Sequence, residues 1–284
     1  NCPVISADSR QFFKEMNIGT AKPTTQEMQG VLHYFINSHS IIEDYNVGKF
    51  EVEVIELLQE LFKKLNTVII VGGSGLYIDA LCKGFDELPE ADKETRDKIN
   101  TILKTEGIEG LQTLLKNLDI DYYNKVDLQN PQRLSRAIEV CLTTGKTYSE
   151  FRKGKSKKRD FNFIKIGINT QRELLYKRIN KRVDEMMSNG LLDEVKSLEK
   201  YKHLNALQTV GYKELFAYLE NKTDLKTAID LIKQNSRNFA KRQLTWFRRD
   251  EEIKWFETDE EKEIKEFISS RLNETLKDAE SSSA

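Results

Sequence analysis

A chain of 284 residues can bury a sizeable core, as one large domain or as a main domain with an insertion. Charged residues make up 32% and hydrophobic residues 38%, and the formal net charge of -1 leaves no global basic excess to advertise nucleic acid. Cys2, Cys82 and Cys141 are odd in number and far apart, which argues against a disulfide framework or a zinc site and fits a reducing, cytoplasmic setting. His33, His39 and His203 lack ligand spacing, no apolar run approaches the ~20 residues of a membrane helix, and no signal peptide pattern is visible.

Pro3 to Ala7 predicts a short buried strand, and Asp8-Ser9-Arg10-Gln11 follows at its C-terminal end, where open α/β sheets place their ligands. Asp8 or Ser9 capping a turn is the plain alternative. Thr24 or Thr25 opens a predicted short helix through Gln29, and Tyr34 to Ile42 reads as a second strand. Phe50, Val54, Leu57, Leu58, Leu61 and Leu65 give Val47 to Leu65 a helical stripe. Thr67 to Val71 then reads as a parallel strand buried on both faces. The Gly72-Gly73-Ser74-Gly75 turn follows, as a tight βα connection or as a place where backbone approaches a ligand.

Beyond Phe85 the β signal disappears. Helices are expected over Lys98 to Leu118 and Pro131 to Thr143, the latter opened by Asn130 as cap and Pro131 at the first position. Leu134, Ile138 and Cys141 face a core, leaving Arg133 and Arg136 on another face for a phosphate, a base or Glu139. Arg152 to Arg159 holds six cations in eight residues, either a solvated linker or a salt-sensitive RNA contact. Phe161 to Ile168 returns to strand. Thr170-Gln171-Arg172-Glu173 forms a capping box before a long helix with Leu175, Ile179, Val183 and Met186 inward and Arg178 and Arg182 together elsewhere. Ser236 to Arg249 mixes Arg237, Lys241, Arg242, Arg248 and Arg249 with Phe239, Trp246 and Phe247, a composition that suits bases and phosphates, with Phe239 and Trp246 expected in the core. Ile253 to Phe256 is a last edge strand, followed by a charged helix and a Ser-rich tail.

Five segments occur in order: Asp8 to Gln11; Gly19-Thr20-Ala21-Lys22-Pro23; Val71 to Tyr77; Pro131-Gln132-Arg133-Leu134-Ser135-Arg136-Ala137; and Lys241-Arg242-Gln243-Leu244-Thr245-Trp246-Phe247-Arg248. Together they resemble the tRNA dimethylallyltransferase family over nearly the whole chain. The resemblance implies an α/β, P-loop-NTPase-like parallel sheet flanked by helices, with a helical insertion domain. The core is expected at 1–84 and 160–284 and the tRNA-binding insertion at 85–159. It further implies a monomer, without membrane attachment, that moves a dimethylallyl group from dimethylallyl diphosphate to the N6 amine of the adenosine 3′ of the anticodon.

By the same resemblance Asp8 is the catalytic base. Arg182, helped by Arg178, holds the diphosphate with Mg2+. Asp8, Ser9, Arg10, Gln11, Ser74, Arg96, Gln132, Arg133, Leu134, Ser135, Arg136, Lys241, Arg242, Gln243 and Arg248 contact the tRNA anticodon stem-loop. Family members carry a Gly-x-Thr-x-x-Gly-Lys-Thr/Ser P-loop one βα unit before the Asp-Ser motif. The sequence begins after that unit, at Asn1, so the chain reads as lacking it and is expected to bind tRNA without transferring the group. A small-molecule kinase of the P-loop class and a non-catalytic RNA-binding module stay open as alternatives. The kinase would not need the cationic run, and the module would not need Asp8.

Overall fold

The computed structural model describes residues 2–86, 88–89, 92–152, 154 and 157–282. The chain divides into two compact units, Asn1–Cys82 with Arg159–Ala284, and Lys83–Lys158.

In the first unit the apolar run after Pro3 forms β1 (Val4–Ser6), parallel to β2 (His33–Tyr34), with Val4 opposite His33. Asn46 caps α1 (Val47–Phe62) by accepting from the Gly48 and Lys49 amides, and Phe50, Val54 and Leu58 form its buried stripe. The other neighbour of β1 is β3 (Ile69–Val71), also parallel, so the order is β2-β1-β3. The glycine turn then opens α2 (Gly75–Lys83).

The second unit is helical: α3 (Lys93–Thr105), α4 (Gly107–Leu118), α5 (Ile120–Tyr123), α6 (Pro131–Thr144) and α7 (Tyr148–Phe151). The buried Asp119 carboxylate is its hub, accepting from the Tyr122 amide, the Ser149 amide and the Ser149 hydroxyl at 2.7 to 2.9 Å. Asn130 caps α6 through the Arg133 amide, and Gly145 ends it in the left-handed region. Leu134, Ala137, Ile138 and Cys141 are buried along α6.

The first unit resumes with β4 (Ile166–Asn169), α8 (Arg172–Ser188), α9 (Leu191–Ser197), α10 (Tyr212–Leu219), α11 (Leu225–Phe247), β5 (Lys254–Glu257) and α12 (Glu261–Ser282). β4 and β5 pair in parallel as a separate two-stranded ladder. Phe12, Met16, Phe50, Leu58, Tyr212 and Leu215 are almost fully buried in one core, each large apolar side chain contributing about 1.5–3 kcal/mol.

Several expectations need correction. Residues 35–42 leave the strand after Tyr34, because Phe35 and Asn37 turn the chain at positive φ, and only a Phe13–His39 bridge continues the pairing. Thr24 to Gln29 forms turns, not a helix. One helix over 98–118 becomes two, broken at Gly107 with φ +70°. The capping box at Thr170 is absent, since Gln171 is the N-cap and makes no side-chain bond. β3 is not covered on both faces: Ile69 is 46% and Val71 57% exposed, and alternation along the strand puts these two side chains on the same face.

Candidate functional site

β1 ends in a sharp turn that is fixed by its own carboxylate. Asp8 Oδ1 accepts from the Arg10 amide at 2.8 Å and the Gln11 amide at 3.2 Å, while Oδ2 takes no hydrogen bond among the described residues. The capping role and an available oxygen therefore coexist in one half-buried carboxylate. Ser9 donates its amide to Ser74 Oγ at 2.9 Å, which joins this turn to the glycine turn after β3. Arg10 lies along the same floor. Burial lowers its pKa, opposed by Tyr77 and Asp8, and its buried Nε has no partner. Burial likewise pushes the Tyr77 hydroxyl up to about 12.

The glycines of the second turn answer to neighbours. A Cβ on Gly72 would lie 2.4 Å from the Ala7 carbonyl oxygen, one on Gly73 2.2 Å from Gln243 Nε2, and one on Gly75 2.4 Å from the Trp246 ring. α11 is latched here, with Gln243 donating to the Gly73 carbonyl at 2.8 Å and the Trp246 indole to Asp79 at 2.9 Å. The close approach is thus made by β1 and α11. The Asp8 turn, the Ser74 turn and the Gln243 face of α11 form one constellation at the C-terminal ends of parallel strands, the place where such sheets bind ligands.

The IPP transferase model matches residues 11–250. The chain is 53% identical to the tRNA dimethylallyltransferase of Christiangramia forsetii, over 95% of this chain and 90% of the relative. It is 49% identical to tRNA dimethylallyltransferase 1 of Bacteroides thetaiotaomicron, over 93% and 86%. The chain belongs to the IPP transferase family. Its structure is similar to the full-length tRNA isopentenylpyrophosphate transferase of Bacillus halodurans, with a TM-score of 0.70, 35% identity and 98% and 90% of the two chains covered. It is also similar to a eukaryotic dimethylallyltransferase acting on tRNA, with a TM-score of 0.76, 25% identity and 98% and 74% covered.

In this IPP transferase the other predicted residues divide by environment. Arg178 and Arg182 are exposed one turn apart on α8, and neither has a hydrogen bond or ion pair among the described residues. Lys241, Arg242 and Arg248 are exposed on and just beyond α11. Phe239, expected in the core, is 44% exposed with the Arg242 guanidinium 5.7 Å from its ring, and Trp246 is half-buried. In the helical unit Gln132 and Arg133 are exposed and Ser135 half-buried, but Leu134 is fully buried in the core of that unit and has no surface to offer RNA. Arg136 is not a free cation: it pairs with Glu139 at 3.2 Å and donates to the Pro89 carbonyl, while Arg96 lies 3.9 Å from the same Glu139.

Of the cationic run, Lys153, Lys155 and Ser156 lie outside the described residues, and Arg159, its side chain 11% exposed, is a strut paired with Glu51 instead of a linker residue. Gln11 is also committed. Its Nε2 donates to the Thr20 and Ala21 carbonyls, each at 3.3 Å, and its Oε1 accepts from Ser6 Oγ at 3.0 Å, so its amide braces two segments. Lys22 Nζ donates to the Phe13 carbonyl, Asn17 Oδ1 and Asn37 Oδ1, and burial, opposed by Glu194 and Glu15, lowers its pKa to about 8. The sequence reading missed Glu194 and Tyr212 here, since they act on a loop about 175 to 193 positions away and no local period marks such a pairing. Among the described residues no group of three or more His, Cys, Asp or Glu gathers as a metal cage, and no helix is long and apolar enough to cross a membrane.

Proposed function

We propose that the protein transfers a dimethylallyl group from dimethylallyl diphosphate to the exocyclic N6 amine of a tRNA adenosine, the one 3′ of the anticodon. Membership of the IPP transferase family supports the reaction class. The observation that carries the site assignment is the Asp8 carboxylate, pinned by two backbone amides through one oxygen and without a hydrogen bond at the other among the described residues. The adenine amine is a weak nucleophile, its lone pair being delocalised into the ring, so a positioned base has work to do. Asp8 Oδ2 takes the N6 proton as the N6–C1 bond forms, and the C1–O bond breaks with its electron pair leaving on diphosphate. The base reaches the site by leaving the stack of the anticodon loop, as in other base-modifying enzymes.

Arg178 and Arg182, exposed and without a hydrogen bond or ion pair among the described residues, suit the leaving diphosphate, and Lys241, Arg242 and Arg248 suit the tRNA backbone. The described residues do not fit a magnesium cage of their own: no carboxylate cluster is present and Asp8 Oδ1 is already occupied, so no step here is assigned to the ion. Single-turnover transfer to an anticodon stem-loop, measured with full-length wild-type protein and Asp8→Ala, tests the reading. The substitution is expected to slow transfer by ~10²- to 10⁴-fold with stem-loop affinity little changed. A wild-type rate would remove Asp8 from the mechanism.

A further inference from the structure

Three successive backbone amides turn to the same carboxylate. Glu194 Oε2 accepts from Asn17 at 3.0 Å and Ile18 at 2.8 Å, and Oε1 accepts from Gly19 at 3.1 Å and from the Tyr212 hydroxyl at 2.6 Å. Converging backbone amides make an anion-binding concavity, and here α9 fills it from within. Tyr212 is fully buried, and its ring lies so close to Gly19 that a Cβ there would fall 2.5 Å from Cε2. Thr20 Oγ1 donates to the Met16 carbonyl, and Lys22 reaches Asn17 and Asn37, closing the loop from its other end.

What this loop delivers is a pair of carbonyls. Thr20 and Ala21 both accept from Gln11 Nε2, and Ala21 sits at φ +46°, a conformation a residue with a side chain keeps only where its surroundings impose it. Gln11 in turn supplies one of the two amides that fix Asp8 Oδ1. An unbroken chain of hydrogen bonds and peptide links thus runs from Glu194 through residues 17–21 and Gln11 to Asp8. From this geometry we infer that Glu194 is a positioning residue for group transfer: it holds the 17–22 loop in the conformation that aims the free oxygen of Asp8.

The inference rests on the reading of Asp8 as the base, and a double-mutant cycle separates the two. Single-turnover rates with saturating dimethylallyl diphosphate and anticodon stem-loop are measured in full-length protein for wild type, Asp8→Ala, Glu194→Gln and the double variant. Each rate is normalised to the folded fraction at the assay temperature. Glu194→Gln replaces one acceptor oxygen by an amide NH2, a donor facing backbone donors, and it is expected to slow transfer roughly 10- to 100-fold through misplacement of the base. Stem-loop affinity is expected to stay within about threefold, since the substitution removes no binding group. In the Asp8→Ala background it adds no further loss, because residues acting through one another are not additive. A purely structural role would leave the normalised rate unchanged or lower it by the same factor in both backgrounds, and either result overturns the inference. A wild-type rate for Asp8→Ala overturns the reading of the base and the inference with it. Should Glu194→Gln not fold, Glu194→Asp, which keeps the charge and shortens the reach, carries the same cycle.

Discussion

The Arg159 guanidinium donates to Glu51 at 2.7 Å and, in the same pocket, to the Ala80 and Leu81 carbonyls at 2.8 and 2.9 Å. It closes the C-terminal end of α2 while neutralising a carboxylate that α1 carries into the interior. A buried pair of this kind is costly to break from one side, because the remaining charge stays desolvated. Arg159→Met is therefore expected to lower unfolding free energy by about 3–5 kcal/mol, read from urea denaturation. Lys158→Gln, at an exposed neighbour, is expected to leave the urea midpoint in place and to reduce the salt dependence of tRNA binding, with a slope change of roughly 0.7 per lost phosphate contact.

Two adjacent glycines give unequal expectations. At Gly72 the added methyl meets the backbone of Ala7, with the carbonyl carbon at 2.5 Å, and neither strand can yield without disturbing the β1–β3 pairing. Gly72→Ala should cost about 1–3 kcal/mol and displace the Asp8 turn, lowering both the thermal midpoint and transfer. At Gly73 the methyl meets only the end of the Gln243 side chain, which can swing aside at the loss of one hydrogen bond. Gly73→Ala should cost about 0.5–1.5 kcal/mol. Equal losses at the two positions would show that the turn tolerates movement of β1.

Legibility in the sequence followed the range of the interaction. Local signals held: the Asn130-Pro131 helix start, the α1 stripe at Phe50, Val54 and Leu58, and the short strand before Asp8. Elements set by distant partners were misread. Residues 35–42 have strand composition, yet their conformation is dictated by Asn37 and Phe35 at positive φ and by the pairing with Phe12 and Phe13. At the site, the residue types at Asp8 and Ser74 were visible as motifs. Glu139 was visible as one possible partner of Arg136, and the two do pair. That Gln11 spends its amide on the protein, and that Arg136 also donates to Pro89, was not, because neither the Thr20 and Ala21 carbonyls nor the Pro89 carbonyl leaves a trace in residue type.

Lys165 carries a pH expectation. Burial works against its charge, but hydrogen bonds to Asp250 at 2.8 Å and Glu252 at 2.6 Å outweigh that, and its pKa lies above the usual lysine value. A lysine whose pKa is raised on folding contributes stability that is complete below the unfolded value, about 10.4, and is lost as pH rises through the folded one. The stability difference between wild type and Lys165→Met should accordingly be constant from pH 6 to about 9 and shrink above about 10.4, measured by urea midpoints in one ionic strength. A difference that vanishes toward acid would mean that titration of Asp250 or Glu252 governs the contact instead.

The arginines of α8 offer the sharpest division between the two substrates. Arg178 and Arg182 lie on one exposed strip and make no ion pair among the described residues, whereas Lys181 nearby is paired with Glu185 and Lys233 with Asp184. Cations without an ion pair among the described residues, beside acids that have found other partners, are placed to receive an anion. Under the proposed reaction that anion is diphosphate, whose charge grows as the C1–O bond breaks. Arg182→Ala should therefore slow single-turnover transfer on the order of 10²-fold and weaken dimethylallyl diphosphate binding. Stem-loop affinity should be unchanged, and stability should stay within about 0.5 kcal/mol because the side chain is exposed. Arg182→Lys should recover part of the rate, since it restores the charge without the planar fork that matches phosphate oxygens. Loss of stem-loop binding with normal diphosphate binding would instead assign this strip of α8 to the RNA backbone.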